Sequence, residues 1–157
     1  MARNFSRARC IELSMVKYLT DQVNANWTGV AVIKDFLNAV DAPGPVICVQ
    51  MLSTATQRWE IGSTTPKQQF TFVIDIFANS DGQRIDLDDF IVNTIMAGPI
   101  PYYDCTKDPG NSANILFTQN GGMTVVRFLT DRRITALDNE NIENKWRQSL
   151  SFVVTKY

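Results

Sequence analysis

The side chains available for chemistry are few, because the 157-residue chain contains no histidine. Histidine is the usual general base, the usual activator of a serine or cysteine nucleophile, and the commonest metal ligand. Serine–histidine and cysteine–histidine catalysis within a single chain are therefore excluded. Carboxylates, lysines, tyrosines and three cysteines remain as the groups on which an enzyme would have to rely.

The three cysteines do not form a recognisable motif. Cys10, Cys48 and Cys105 are odd in number and far apart, and each has apolar or aromatic neighbours. No pair has the close spacing of a zinc or redox site, and the total does not suggest a disulfide framework. We expect reduced, mostly buried thiols.

Acidic residues are the main remaining candidates for hydrolytic or metal chemistry. Asp86, Asp88 and Asp89 are close together, but the segment lacks the glycine and the closing glutamate of a calcium loop. Capping of a helix explains the trio better. Asp75 lies in an apolar strand pattern, where a single acid is more often paired or partly solvated than catalytic. We predict no catalytic residue, no metal site and no cofactor.

Six aromatic or arginine residues are candidate interface residues, because tryptophan, tyrosine and arginine are enriched at the energetic centres of protein interfaces. They are Arg58, Trp59, Tyr102, Tyr103, Arg132 and Arg133. For the two adjacent arginines the sequence favours an ordinary charged strand end. For Trp59 it leaves open a role in capping the sheet core, and for the two tyrosines a role as packed aromatics.

Charge gives no sign of a nucleic-acid partner. Fifteen Lys+Arg and sixteen Asp+Glu give a net charge of −1 at pH 7, whereas a duplex-binding protein normally carries a basic excess. The basic start of the chain leads into no continuous apolar segment, so we expect neither a signal peptide nor a membrane span. Synthesis in the cytoplasm is expected.

The chain is long enough for one domain, residues 1–157, which the hydrophobic pattern divides into helices and strands. The first half is predicted as a helix over 6–24, strands over 28–33 and 46–52, a turn at 53–56 and a strand over 68–78. The second half is predicted as a turn at 79–82, a helix over 86–97 capped by Asp86, an edge segment over 99–104, a hairpin turning at 120–122 and a strand over 145–157. This order indicates an α+β fold with a mostly antiparallel sheet, an N-terminal helix and a second helix packed against the sheet.

The order of these elements resembles the small neck and tail-completion proteins of tailed bacteriophages, particularly the tail-terminator group. A helix and a proline-rich break precede Arg58-Trp59-Glu60-Ile61-Gly62, and the alternating strand from Phe70 to Ala78 follows. Asp81-Gly82-Gln83-Arg84 and a helix beginning Asp86-Leu87 come next. The resemblance covers most of the chain in element order, with the Trp-Glu-x-Gly stretch and the alternating strand as its most distinctive parts.

The resemblance implies a structural protein of the virion, made in the host cytoplasm and placed at the neck or the head-proximal end of the tail. Members assemble into a ring, typically a hexamer, that caps the tail tube, ends its polymerisation and docks the head connector. The genome passes through the lumen of the ring without sequence-specific contact. Members of the group have no catalytic residues, which agrees with the missing histidine.

Three other interpretations remain open at this point. A head-side neck or adaptor ring is the nearest of them. A small hydrolase or nuclease that uses carboxylates and a divalent metal is an alternative of another class. The third is a nucleic-acid-binding module that uses exposed aromatics and the pair Arg132 and Arg133.

Overall fold

A computed structural model describes residues 5–57, 61, 67–134 and 146–157. The elements in this part of the chain are α1 (Arg7–Asn26), β1 (Ala31–Ile33), α2 (Phe36–Asp41), β2 (Val46–Gln57), β3 (Lys67–Ala78), α3 (Asp81–Met96), β4 (Ile100–Lys107), β5 (Ile115–Ile134) and β6 (Trp146–Lys156). The strands form one sheet in the order β1-β2-β3-β6-β5-β4. β1 runs parallel to β2, and every other pair is antiparallel. The predicted α+β fold with a mostly antiparallel sheet is confirmed.

The main core lies between one face of the sheet and the helices α1 and α3. Alternation along β3 sends Phe70, Phe72, Ile74 and Ile76 to this face, where all four are fully buried. Helix α1 covers it with a stripe of residues at three- and four-residue spacing, including Ile11, Met15 and Leu19, and α3 with others that include Leu87 and Ile91. Each large apolar side chain buried in this way contributes about 1.5–3 kcal/mol to folding.

A smaller cluster covers the opposite face near the start of β2. It consists of Ala39 from α2 together with Val46, Cys48 and Phe77 from the sheet. Helix α2 was not predicted, because its six residues are too few to show helical periodicity. The local signal for α2 is Asp35, whose carboxylate accepts the backbone N–H of Leu37 at 3.0 Å and caps the helix.

Two predicted boundaries are wrong. β2 does not turn at residues 53–56 but continues to Gln57, and its polar second half stays paired with β3. α3 begins at Asp81 and not at Asp86, because the hydroxyl of Ser80 accepts the N–H of Gln83 at 3.2 Å and caps the helix there. The predicted turn over 79–82 is therefore the N-terminus of this helix. Its end before Gly98 and Pro99 is as predicted.

The hairpin predicted at residues 120–122 is also wrong, because β5 runs without a turn for 20 residues. Two residues of β5, Asn120 and Gly121, lie opposite the single residue Tyr102 of β4, which makes a β-bulge. Gly121 has a φ of +96°, and Asn120 Nδ2 donates to Asp104 Oδ2 at 2.6 Å. The glycine that suggested a turn is used to form the bulge.

Three further predictions are confirmed. The last strand is β6, and it lies between β3 and β5, which ties the C-terminal segment into the middle of the sheet. Segment 100–104 belongs to β4, an edge strand of the sheet. Cys10, Cys48 and Cys105 are buried free thiols.

We expect opposite effects on the free energy of unfolding from two glycine-to-alanine substitutions, one in the bulge and one in α3. Gly121→Ala should lower the free energy of unfolding by about 1–3 kcal/mol, because an L-residue is strained at this φ and its Cβ would lie 3.0 Å from the carbonyl oxygen of Tyr157. Gly82→Ala, in α3 with no heavy atom within 4 Å of the added Cβ, should raise it by up to about 1 kcal/mol. Urea denaturation measures both values, and a Gly121→Ala protein as stable as wild type would contradict the bulge.

Candidate assembly surface

Arg58 and Trp59, with most of the stretch that carried the resemblance, lie outside the residues that the structure describes. Of Arg58-Trp59-Glu60-Ile61-Gly62 only Ile61 is described, and its side chain is fully exposed. The interface prediction for Arg58 and Trp59 therefore stays a prediction.

The two tyrosines pack within the protomer. Tyr102 is only 2% exposed, and burial raises the pKa of its phenol, with a further contribution from Asp104. The ammonium of Lys156 lies 3.9 Å from the centre of the Tyr102 ring. Tyr103 donates its backbone N–H to Ser14 Oγ at 2.9 Å and sets its ring edge-on to Phe117, with 5.9 Å between ring centroids. Both tyrosines join β4 to its neighbours, and Tyr102 has almost no surface left for a partner.

Arg132 and Arg133 are exposed near the end of β5, on opposite faces of the sheet. The guanidinium of Arg133 lies 4.6 Å from the centre of the Trp146 ring, a cation–π geometry. Arg132 lies 13 positions along β5 from Gln119, the register partner of Tyr103, which corresponds to roughly 40 Å of strand. The structure therefore does not bring the arginines and the tyrosines together in one site.

The acidic trio of α3 diverges around the helix. Asp86 and Asp89 lie on the rim of an open groove of about 460 Å³ between α3 and α1, which Tyr18 and Gln22 line from the other side. Asp88 instead lies beside Gln148 of β6 and Asp131 of β5. Within the described part of the chain, no three His, Cys, Asp or Glu side chains are arranged to hold a metal ion.

Asp75 is buried and paired, as the sequence analysis favoured. The guanidinium of Arg147 donates to Asp75 Oδ1 through Nη2 at 2.8 Å and through Nε at 3.1 Å. The same guanidinium lies 4.9 Å from the ring centre of Phe36 and 5.4 Å from that of Phe77. Arg147 therefore contacts both Asp75 of β3 and Phe36 of α2, and the ion pair helps to hold α2 against the sheet.

A polar cluster joins α3 to the two neighbouring strands β6 and β5. The side-chain amide of Gln148 donates to Asp131 Oδ1 at 2.5 Å and to Asp88 Oδ2 at 3.4 Å, and its oxygen accepts from Arg84. Arg84 also pairs with Asp81 at 2.9 Å. This cluster could not be predicted from the sequence, because Arg84 and Gln148 are 64 residues apart and come together only through the packing of α3 on the sheet.

Asp88 and Asp131 are two carboxylates in one partly buried site. Burial first, and then the charge of Asp131 and a hydrogen bond with it, raise the pKa of Asp88 to about 6. The Oδ1 atom of Asp88 is buried and has no hydrogen-bond partner among the described residues. Asp88 therefore takes up a proton on mild acidification, which removes the repulsion between the two carboxylates.

The sheet leaves two strand edges without a described neighbour. β1 pairs with only the first three residues of β2, so the outer edge of β2 over residues 49–57 has no described strand beside it. β4 pairs with β5 only from Ile115 to Met123, so the outer edge of β5 over residues 124–134 is free in the same sense. Backbone N–H and C=O groups on such edges are templates for another strand. We call these segments the β2 edge and the β5 edge.

Each of the two edges contains β-bulges, and the extra residue at every bulge is a large aliphatic one. Leu52 is the extra residue on the β2 edge, and Val126 and Leu129 are the extra residues on the β5 edge. They are 62%, 45% and 46% exposed. Their sequence signal, which was overlooked, is a pair of adjacent apolar residues that breaks the alternation of a strand: Met51-Leu52, Val125-Val126 and Phe128-Leu129.

Proteins usually protect exposed edges with charges, prolines or bulges that turn the backbone away. On the β2 edge the N–H of Met51 donates to Glu12 Oε1 at 3.3 Å, but no described strand pairs with the rest of either edge. Bulges that carry leucine and valine into solvent therefore offer apolar surface beside strand edges that have no described strand partner. The two edges are therefore the best candidates for an assembly surface. Among the described helices, none is long and apolar enough to cross a membrane.

No protein-family model and no curated protein matches the chain by sequence. Solved structures do match it. One chain of similar length aligns over 95% of this chain and 94% of its own, at 13% identity and a TM-score of 0.52, which shows a shared fold. The sheath/tube terminator of PVC, an extracellular contractile injection system in its extended state, aligns over 91% of this chain at 10% identity and a TM-score of 0.44. The alignment covers 56% of that terminator.

The polar cluster predicts a pH dependence with a definite sign. Because the folded state raises the pKa of Asp88 from 3.8 to about 6, its contribution to stability is complete below about pH 4 and is lost as the pH rises through 6. Asp88→Asn should raise the melting temperature at pH 7.5. The melting temperature of the wild type should rise when the pH is lowered from 7.5 to 5, and this rise should be smaller in Asp88→Asn. Thermal unfolding followed by circular dichroism measures both.

Asp86→Asn is the matched control, because Asp86 is an exposed carboxylate of α3 close to Asp88 and is not among the groups that raise the pKa of Asp88, whereas the charge of Asp89 is one of them. It should leave the pH dependence as in wild type. If Asp88→Asn lowers the melting temperature at pH 7.5, or keeps the wild-type pH dependence, the assignment of the raised pKa to Asp88 is wrong.

Proposed function

We propose that this protein is a non-catalytic assembly protein of a tail: a protomer of a ring that caps the head-proximal end of the tail tube and ends its polymerisation. The observation that supports this most is the pair of sheet edges, which combine strand segments without a described strand neighbour and exposed aliphatic side chains. A domain with such edges is suited to contacts between subunits.

The chemistry of the described residues supports a non-catalytic role. The carboxylates Asp75 and Asp88 are engaged in contacts that hold elements of the domain together. Burial raises the pKa of the Cys48 thiol to about 11 and that of the Cys105 thiol to about 12, so both stay protonated at neutral pH. A protonated, buried thiol is a poor nucleophile.

The tail role itself comes from the resemblance described above. The sheath/tube terminator of the contractile injection system belongs to the same functional class, but a TM-score of 0.44 adds no weight to the assignment. The finer features, namely a hexameric ring, docking of the head connector, a genome that passes through the lumen and a place in the virion neck, are parts of this proposal. A head-side neck or adaptor ring is the nearest alternative.

The test is to polymerise the tail-tube protein encoded by the same genome with and without this protein, and to measure the tubes by electron microscopy. We expect shorter tubes with added density at one end, and a particle several times heavier than the 17.7 kDa chain by light scattering. Tubes grown without the protein are the control. Unlimited growth with bare ends would contradict the capping role, and decoration of head connectors but not of tube ends would favour the head-side ring.

A further inference from the structure

We propose that copies of this chain join head to tail by β-strand pairing, with the β2 edge of one subunit against the β5 edge of the next. The inference rests on the proposed assembly role and names the surface and the partner: a second copy of the chain. It follows from the position, direction and side chains of the two edges.

The β2 edge and the β5 edge lie at the same level along the strand direction, on the two opposite margins of the four central strands. One row of register partners across the four central strands consists of Val49, Ile74, Leu150 and Asp131. A second row, six positions further along β2, consists of Ala55, Gln69, Thr155 and Thr124. The free parts of β2 and β5 therefore span the same rows, so a second copy placed beside the first brings free edge against free edge.

Strand direction gives the sense of the pairing. Three successive antiparallel pairs lead from β2 to β3, β6 and β5, so β2 and β5 run in opposite directions within one subunit. A copy related by rotation about an axis along the strands keeps these directions, and its β2 lies antiparallel to the β5 of its neighbour. Because the contact joins two different surfaces, it repeats from copy to copy and closes into a ring if the rotation allows.

The bulge residues meet in this arrangement. Leu52 lies between the rows of Phe152 and Val153. On β5, Val126 lies one row to one side of this position along the strands, between the rows of Val153 and Val154. Leu129 lies one row to the other side, between the rows of Ser151 and Phe152. A neighbour in register therefore places its Leu52 between Val126 and Leu129, which removes all three exposed aliphatic side chains from water.

Charge favours this pairing over the pairing of two β5 edges. The β5 edge carries Arg127, Arg132 and Arg133 with one acid, Asp131, whereas residues 49–57 of the β2 edge carry no charge. Pairing β5 with β5 would bring two sets of arginines together, and like charges across a strand pair are destabilising. Pairing β5 with β2 meets no such repulsion.

The test uses two single variants that each block one edge. Leu52→Asp blocks the β2 edge and Leu129→Asp blocks the β5 edge, and both side chains are exposed, so the fold should be kept, as circular dichroism will verify. Met96→Asp is the matched control, because Met96 is 60% exposed at the end of α3, away from both edges. Sedimentation velocity measures the oligomer of each protein alone and in mixtures.

We expect wild type and Met96→Asp to self-associate and each edge variant alone to be monomeric, with association weakened about 10- to 100-fold. An equimolar mixture of the two edge variants should form a dimer and nothing larger, because it contains exactly one intact pair of edges. A wild-type monomer, self-association of either variant at wild-type strength, or a mixture that stays monomeric would overturn the proposal.

The same variants separate this inference from the proposed function. If Leu52→Asp caps tube ends as efficiently as wild type does, the pairing of edges between copies is wrong, but the proposed tail role still holds. Edge variants that self-associate like wild type yet fail to cap tubes would show that the edges receive a strand of another protein, which also overturns the pairing between copies. Self-association through the edges with bare tube ends would contradict the tail role alone.

Discussion

The whole sheet depends on the insertion of β6 between β3 and β5. In the described part of the chain, β1, β2 and β3 form one group of neighbouring strands and β4 and β5 form another, and β6 joins the two groups by pairing with β3 and with β5. Phe152 of β6 stacks on Phe72 of β3 and also lies against Phe128 of β5, with 5.9 Å between ring centroids in each pair. The main core is complete only when β6 has paired, because Leu150, Phe152 and Val154 of β6 belong to it.

The pairing of β6 with β3 and β5 determines which polar groups are paired inside the sheet and which apolar groups are exposed at its margins. Inside the sheet, register places Asp75 beside Arg147 and Gln148 beside Asp131, so buried charges find partners across strands. At the margins, β1 and β4 are too short to cover β2 and β5, and the bulges turn aliphatic residues outward. The basis of the proposed role is these margins, where strand segments without a described strand neighbour lie beside exposed aliphatic side chains.

The sequence predicted the elements whose periodicity is long and regular. The alternation of Phe70, Phe72, Ile74 and Ile76 identified β3, and the helical stripe of Ile11, Met15 and Leu19 identified α1. The predicted boundaries were wrong where one local sequence pattern is compatible with two structures. Ser80 stands in a turn-like stretch but caps α3, and Gly121 stands in a hairpin-like stretch but forms a bulge.

The candidate surface was harder to predict than the fold. Interface statistics singled out Tyr102, which is a core residue because β4 turns it inward, and overlooked Leu52, Val126 and Leu129. Those three matter through their positions at bulges on unpaired edges, and both properties depend on which strand lies beside which. Strand order and register are set by pairings between distant segments, such as β3 with β6, and no local pattern reveals them.

Hydrogen exchange of backbone amides tests the central claim most directly, because it reports strand pairing itself. The measurement compares assembled wild-type protein with the monomeric Leu52→Asp variant, peptide by peptide. Pairing of the edges predicts that assembly slows exchange at residues 49–55 and 124–131 together, while α1 and α3 exchange equally in both states. Slowed exchange confined to α1 and α3, with both edges unchanged, would contradict the account.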